Sequence, residues 1–212
     1  MDKIEKQYHE IKNRFFKEII GLLNETEANI SDFLFEEAMQ KSAPSSGYYK
    51  LLFPFGQLSV VHELEIFLTD QAINQCLEND QDIKSIRIKI QKALEAQIID
   101  SMGQKARMKI FNYLAKIDNA AEGLKIASKI CDNIWRYAGD KSTDLNYYTK
   151  RGLLITVYLQ TQIFYQTDQS VNHEASRKFI KNALDNIINI AKVKNKFTLP
   201  RKEDVPFLRL FL

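Results

Sequence analysis

Apolar residues recur at three- and four-residue intervals along almost the whole chain, the spacing that lays them on one face of an α-helix. Residues 3–23 place Ile4, Tyr8, Ile11, Phe15, Ile19 and Leu22 on such a face. A second helix is expected over 31–40, with Ser31 as its N-cap and Phe33, Leu34 and Ala38 apolar. The stretch 43–47 reads as a turn, and the apolar run from Tyr48 to Phe53 must stop at Pro54. A fourth helix is expected over 57–78. A fifth should start after Asp80 and run to about Met102, with Gly103 marking its end. A short helix over 105–115 leads to a loop at 117–120. Residues 121–138 then carry Leu124, Ala127, Ile130, Cys131, Ile134, Trp135 and Ala138 on one face, with Gly139 where a C′ glycine belongs. Ser142 or Thr143 should cap a helix over about 144–167, the most apolar of the chain and greasy nearly all round. The last long helix, 173–192, carries Phe179, Ile180, Ala183, Leu184, Ile187, Ile188 and Ala191.

No strand pattern appears, and seven Gly and four Pro are too few for a many-stranded β architecture. The fold class expected is therefore all-α. Residues 1–56 outline a three-helix unit with a helix-turn-helix, residues 57–192 a larger helical body, and residues 193–212 a tail different in kind. The tail is basic, then ends in FLRLFL. Five of those last six residues, Phe207, Leu208, Leu210, Phe211 and Leu212, are large and apolar. They must dock on the body, on a partner or at a membrane surface.

The chain has 212 residues, 45% hydrophobic and 27% charged, which suits one ordinary globular body with a small appendage. Cys76 and Cys131 exclude a disulfide scaffold and read as reduced core thiols. No apolar run reaches membrane-spanning length. The opening residues mix both charge signs and read as neither a signal nor a transit peptide. Catalytic patterns are weak. His9, His62 and His173 are scattered, no Glu-x-x-His or HExxH spacing occurs, and no Gly-rich phosphate loop is present. His62 with Glu63 and Glu65 reads as a solvated helix face. The expectation is a protein without catalytic residues, metal or cofactor.

Charge sets aside the partner that the helix-turn-helix outline would suggest. Residues 1–56 hold seven Lys/Arg against nine Asp/Glu, a net −2. The segment that would read DNA bases, 44–53, offers only Lys50. Such a surface is repelled by the phosphate backbone, so no nucleic-acid partner is expected. Residues 192–212 hold six Lys/Arg against two acids, and a basic end suits an anionic lipid surface.

Residues 130–168 carry a dense motif: Trp135, Tyr137, Ala138, Gly139 and Asp140, then Ser142, Thr143 and Asp144, then Tyr148, Thr149, Lys150 and Arg151. This stretch resembles the Coq-nine lipid-binding proteins, an accessory family of ubiquinone biosynthesis. The LFPFG stretch at 52–56 falls where that family has a similar Phe-containing segment. The resemblance implies a TetR-like fold whose helix-turn-helix no longer serves DNA. It implies a non-enzymatic role: binding an isoprenoid quinone or phospholipid in the helical body and presenting a polyprenyl intermediate to the demethoxyubiquinone hydroxylase. The expected form is a homodimer, cytoplasmic and peripheral to the inner membrane.

Carried over residue by residue, the hydroxylase surface comprises Ile134, Asp144, Tyr147 and Tyr148. The family usually has Trp where Tyr147 stands, and Tyr keeps an amphipathic ring. The greasy helix supplies the expected lipid-binding residues Leu153, Leu154, Val157, Tyr158 and Phe164, which the family does not pin down. Family members often end in an amphipathic helix that dips into the membrane, and here FLRLFL would fill that role. The residues by themselves also allow blander readings: Gly139 as a C-cap, 142–144 as an N-cap, Trp135 as core. The competing function is a TetR-type transcriptional regulator sensing a hydrophobic ligand.

Overall fold

Helix ends are set by short-range capping. The computed structural model describes residues 3–43, 49–79, 82–141 and 145–194, and all of its regular structure is helical. Helix α1 spans Lys3–Glu25, and α2 spans Asp32–Ser42. Ser31 starts α2 as expected, its Oγ accepting from the Leu34 N–H at 3.3 Å. The four-residue α3, Tyr49–Leu52, ends before Pro54, and α4 follows over Gln57–Asn79. Next come α5 (Ile86–Glu95), α6 (Gln104–Leu114), α7 (Ala120–Tyr137), α8 (Leu145–Tyr165) and α9 (Glu174–Lys194). Residues 44–47 of the expected turn, the caps Ser142 and Thr143, and the whole 195–212 segment lie outside the described residues.

Two boundaries differ from the sequence reading. The fifth helix begins at Ile86 rather than directly after Asp80, because Ser85 supplies the cap, accepting from the Ile88 N–H. It then widens into a π-helical turn over Ala96–Asp100. There the Gln97 carbonyl accepts from Arg107 Nη2 at 2.7 Å and from the Ser101 hydroxyl, partners that compete with the regular helical ladder. Gly103 does not end that helix in a left-handed conformation. It is extended (φ −62°, ψ 153°) and sits at the N-cap of α6. A Cβ there would run into the Asn24 side chain. Asn24 Oδ1, from α1, accepts from the Ala106 N–H at 3.1 Å and so caps α6 from another helix. Glycine leaves the place of its own side chain to a neighbour's cap, which a Cβ would displace.

Two apolar clusters form the interior. The first joins Phe15, Phe16, Ile19 and Leu23 of α1 to Phe35, Tyr49, Phe53, Val60 and Leu64, with Ala106 and Ile110 of α6 packed in. The Phe15 and Phe53 rings stack at 5.4 Å. The second joins Ala72 and Cys76 of α4 to Leu94, Ile98, Ile130, Cys131, Leu154, Val157, Tyr165, Ile180 and Leu184. Helix α4 thus contributes to both clusters. No helix among the described residues is long and apolar enough to cross a membrane.

At the α8–α9 junction a single carboxylate organises the chain. Asp168 accepts from the backbone N–H groups of Ser170 (2.8 Å) and Ser176 (2.9 Å) and from both hydroxyls at 2.6 Å. Burial works against its charge, but the donors from Ser170 and Ser176 outweigh it and hold the carboxyl well below the usual range.

Candidate functional site

The small residues of α6 and α7 leave room where two helices would otherwise close. Gly123 lets α7 approach the Leu114 carbonyl of α6, and a Cβ there would stand 3.0 Å from that oxygen. Ala115, Ala120 and Ala127 add no bulk. The result is a cavity of about 380 Å³ walled by Phe111, Leu114, Leu124, Ile126, Leu159 and Ile163 from α6, α7 and α8. That lies in the size range of small-molecule sites. Leu124 and Ile163 are 55% and 59% exposed, so the apolar wall continues to the surface and forms a mouth.

Part of the lining is polar: Glu65 of α4 with Tyr158 and Gln162 of α8. Glu65 is buried, against the expectation of a solvated face, because Arg107 of α6 is buried beside it and donates from Nη1 at 2.6 Å. The second carboxylate oxygen accepts from Gln97 Nε2 at 2.8 Å. Burial opposes the Arg107 charge, but Glu65 raises the guanidinium pKa overall. His62 and Glu63 do sit toward solvent, paired with Glu122 and Lys12. Tyr158 accepts from Gln162 Nε2 at 2.9 Å, and burial, with Glu65 nearby, pushes its phenol far up. Gln162 Oε1 has no hydrogen-bond partner among the described residues.

The dense motif of residues 130–151 forms an ion-paired hairpin. Gly139 (φ +93°) ends α7 in a Schellman turn, with the Asp140 N–H on Trp135 O and the Gly139 N–H on Arg136 O, both 3.0 Å. Asp140 then accepts from Lys150 at 2.7 Å and from Arg151 at 3.0 Å. Arg151 Nε also reaches Asp132 at 2.6 Å, and its guanidinium lies 3.5 Å from the Tyr147 ring centre. Tyr147 donates to Asp132 at 3.1 Å, and Trp135 Nε1 donates to the Lys150 carbonyl. Burial opposes the Asp132 charge, but Arg151, Arg136 and Tyr147 lower its carboxyl overall.

Of the five expected lipid-binding residues, Tyr158 lines the cavity. Leu154 and Val157 are buried in the second cluster, Leu153 is half-buried, and Phe164 stacks on Phe179 at 4.8 Å. A helix apolar all round does not reveal which face meets a void. The informative signals were polar Gln162 within that helix and the small residues of its neighbours. Among the expected partner-binding residues, Ile134 is fully buried, Tyr147 is tied into the ion-paired hairpin and Tyr148 is 72% exposed. Asp144 and the expected membrane residues Phe207, Leu208, Leu210, Phe211 and Leu212 lie outside the described residues. Lys50, the basic side chain singled out for DNA, pairs with Asp32 at 3.0 Å.

Fold and cavity together define an all-helical protein with a mouth-opening apolar chamber and a buried polar end. Residues 120–191 match the COQ9 family model, which covers α7 and α8 and most of α9. The matched segment holds the motif at 130–151. A probable ubiquinone biosynthesis protein coq9, mitochondrial, of Dictyostelium discoideum is 42% identical over 66 residues, 31% of this chain and 22% of that relative. The Bos taurus ubiquinone biosynthesis protein COQ9, mitochondrial, is 27% identical over 127 residues, 56% of this chain and 40% of its own. That of Xenopus tropicalis is 26% identical over 159 residues, 70% of this chain and 48% of its own. The matches thus span less than half the length of each of these relatives.

Proposed function

We propose that the chain acts in ubiquinone biosynthesis as a non-enzymatic lipid-binding protein. The cargo is an isoprenoid quinone intermediate or a phospholipid, and the recipient is the demethoxyubiquinone hydroxylase. The observation that carries this reading is the cavity itself. It is apolar, opens at Leu124 and Ile163, and lies largely between helices of the segment that matches the COQ9 family model. Transferring a tail from water into such a chamber is favourable by about 25 cal/mol per Å² of apolar area. The exposed Tyr148 ring, backed by the rigid hairpin, is the docking contact for the hydroxylase. The protein works as a homodimer peripheral to the inner membrane, its basic and apolar tail adding lipid contact. The division into a 1–56 unit that does not bind DNA and a 57–192 body belongs to the same reading. The pairing of Lys50 with Asp32 speaks against the competing regulator.

The test is mass spectrometry of an organic extract from gently purified protein, before and after incubation with membranes. A stoichiometric isoprenoid, quinone or phospholipid is expected. Ala127→Leu, which grows a side chain into the cavity, should abolish that cargo without lowering thermal stability. A clean extract from the unaltered protein in both conditions overturns the carrier reading.

A further inference from the structure

The polar end of the chamber makes a specific chemical demand. Gln162 is only 3% exposed, in the last turn of the most apolar helix, and lines the cavity. A buried amide oxygen without a partner costs about 1–3 kcal/mol, so native proteins rarely keep one without reason. Its Nε2 is already engaged by the Tyr158 hydroxyl at 2.9 Å. Tyr158 accepts that bond, so its own proton is left to donate elsewhere. Glu65 stands at the same end, and its two oxygens are held by Arg107 and Gln97. The rest of the wall is apolar. An occupant therefore meets one unmet acceptor and one hydroxyl, side by side, at the end of a greasy chamber.

We infer that Gln162 and Tyr158 form a hydroxyl-recognition site, which takes the O–H of a phenol-type head group whose apolar tail leaves through the mouth. A hydroxyl donates to Gln162 Oε1 and accepts from Tyr158 at once. This demand for a donor holds with Gln162 Nε2 on Tyr158; with the amide rotated, so that Tyr158 donates to its oxygen and its NH₂ faces the chamber, a hydroxyl, an ether and a carbonyl all accept equally and no preference results. An ether or a quinone carbonyl cannot donate and leaves Gln162 Oε1 unmet. The site thus discriminates the reduced, hydroxyl-bearing form of a ring from its oxidised or O-methylated form. About 380 Å³ is the volume of roughly a dozen water molecules at ~30 Å³ each, enough for a ring and a short run of tail.

This inference rests on the cavity being a ligand site, as proposed above, and the experiment separates the two. Equilibrium dialysis compares para-hexylphenol with its methyl ether, against the unaltered protein and Gln162→Met. Methionine keeps the length of the side chain and removes the unpaired amide, and circular dichroism with thermal melting verifies its fold. The unaltered protein should prefer the phenol by about five- to tenfold, the worth of one net hydrogen bond. Gln162→Met should erase most of that preference while still binding both compounds. The phenol-to-ether ratio in the variant cancels the bulk of the added methyl. Binding of both compounds with the same ratio in both proteins overturns hydroxyl recognition and leaves the cavity as a lipid site. Failure of the unaltered protein to bind either compound overturns both readings.

Discussion

Glu65 shows how one side chain changes meaning on burial. On α4 it follows His62 and Glu63, and the three together look like a wet stripe. In the fold its carboxylate is 1% exposed and meets a guanidinium that is fully buried. Removing one partner of such a pair strands the other charge in a poor solvent. Glu65→Gln is therefore expected to destabilise the protein by about 3–5 kcal/mol in denaturant titration. Glu65→Leu combined with Arg107→Met should recover much of that loss, since an apolar pair of similar volume strands nothing. Asp168 makes a different argument at the same scale. Its carboxyl is held low by four donors, so its contribution is complete above the unfolded value near 3.9 and fades as pH falls through the native value. Asp168→Asn should cost about 1–3 kcal/mol at neutral pH. The gap to the unaltered protein should narrow in melts recorded below about pH 4.

Among the elements, α6 is started by another helix. Gly103 leaves the space that Asn24 uses to cap Ala106, and the exchange of side chains between α1 and α6 fixes their approach. An exposed Gly→Ala change near a helix end ordinarily stabilises. Here Gly103→Ala should destabilise by about 1 kcal/mol, the worth of a lost cap. Asn24→Ala should cost a similar amount, and the double variant less than the sum, because both remove one interaction. Chemical denaturation of the three variants decides it, and additive losses would separate Gly103 from the cap. The α7–α8 hairpin shows the opposite economy. Its motif was legible in sequence as a dense run of Trp, Tyr, Gly, Asp, Lys and Arg. Most of that run is consumed internally, by the Schellman turn and by Asp132, Asp140 and Arg151 holding one another.

For the whole molecule, that consumption redirects the partner-binding prediction. Tyr147 stacks on Arg151 and bonds Asp132, so Tyr147→Lys disturbs the hairpin as well as any surface. Tyr148 stands 72% exposed on the same helix end and is the cleaner probe. Tyr148→Lys should weaken association with the hydroxylase at least tenfold in a pull-down or biolayer titration, with its melting temperature within a few degrees of the unaltered protein. An unchanged affinity would remove this face from the docking surface. At the same scale, the Glu65–Arg107–Gln97 cluster ties α4, the π turn and α6 together just inside the chamber. The chamber's polar lining is therefore backed by a cluster that joins three elements; Gln97 Oε1 and Arg107 Nε in it, like Gln162 Oε1, have no hydrogen-bond partner among the described residues.

The helical class, the cap at Ser31, the stop before Pro54 and the glycine turn at 139 could all be read from the chain, because each depends on residues within one or two turns of one another. The family motif could be read for the same reason: its residues are close in sequence. The cavity could not, because it is made by absences on α6 and α7 facing one stripe of α8, and hydrophobic periodicity does not record which stripe faces a gap. Nor could the burial of Glu65, which needs Arg107 from 42 positions away, or the role of Gly103, which needs Asn24 from a different helix. Local chemistry is written in neighbouring residues. Space and charge compensation in the interior are properties of pairs that only folding brings together.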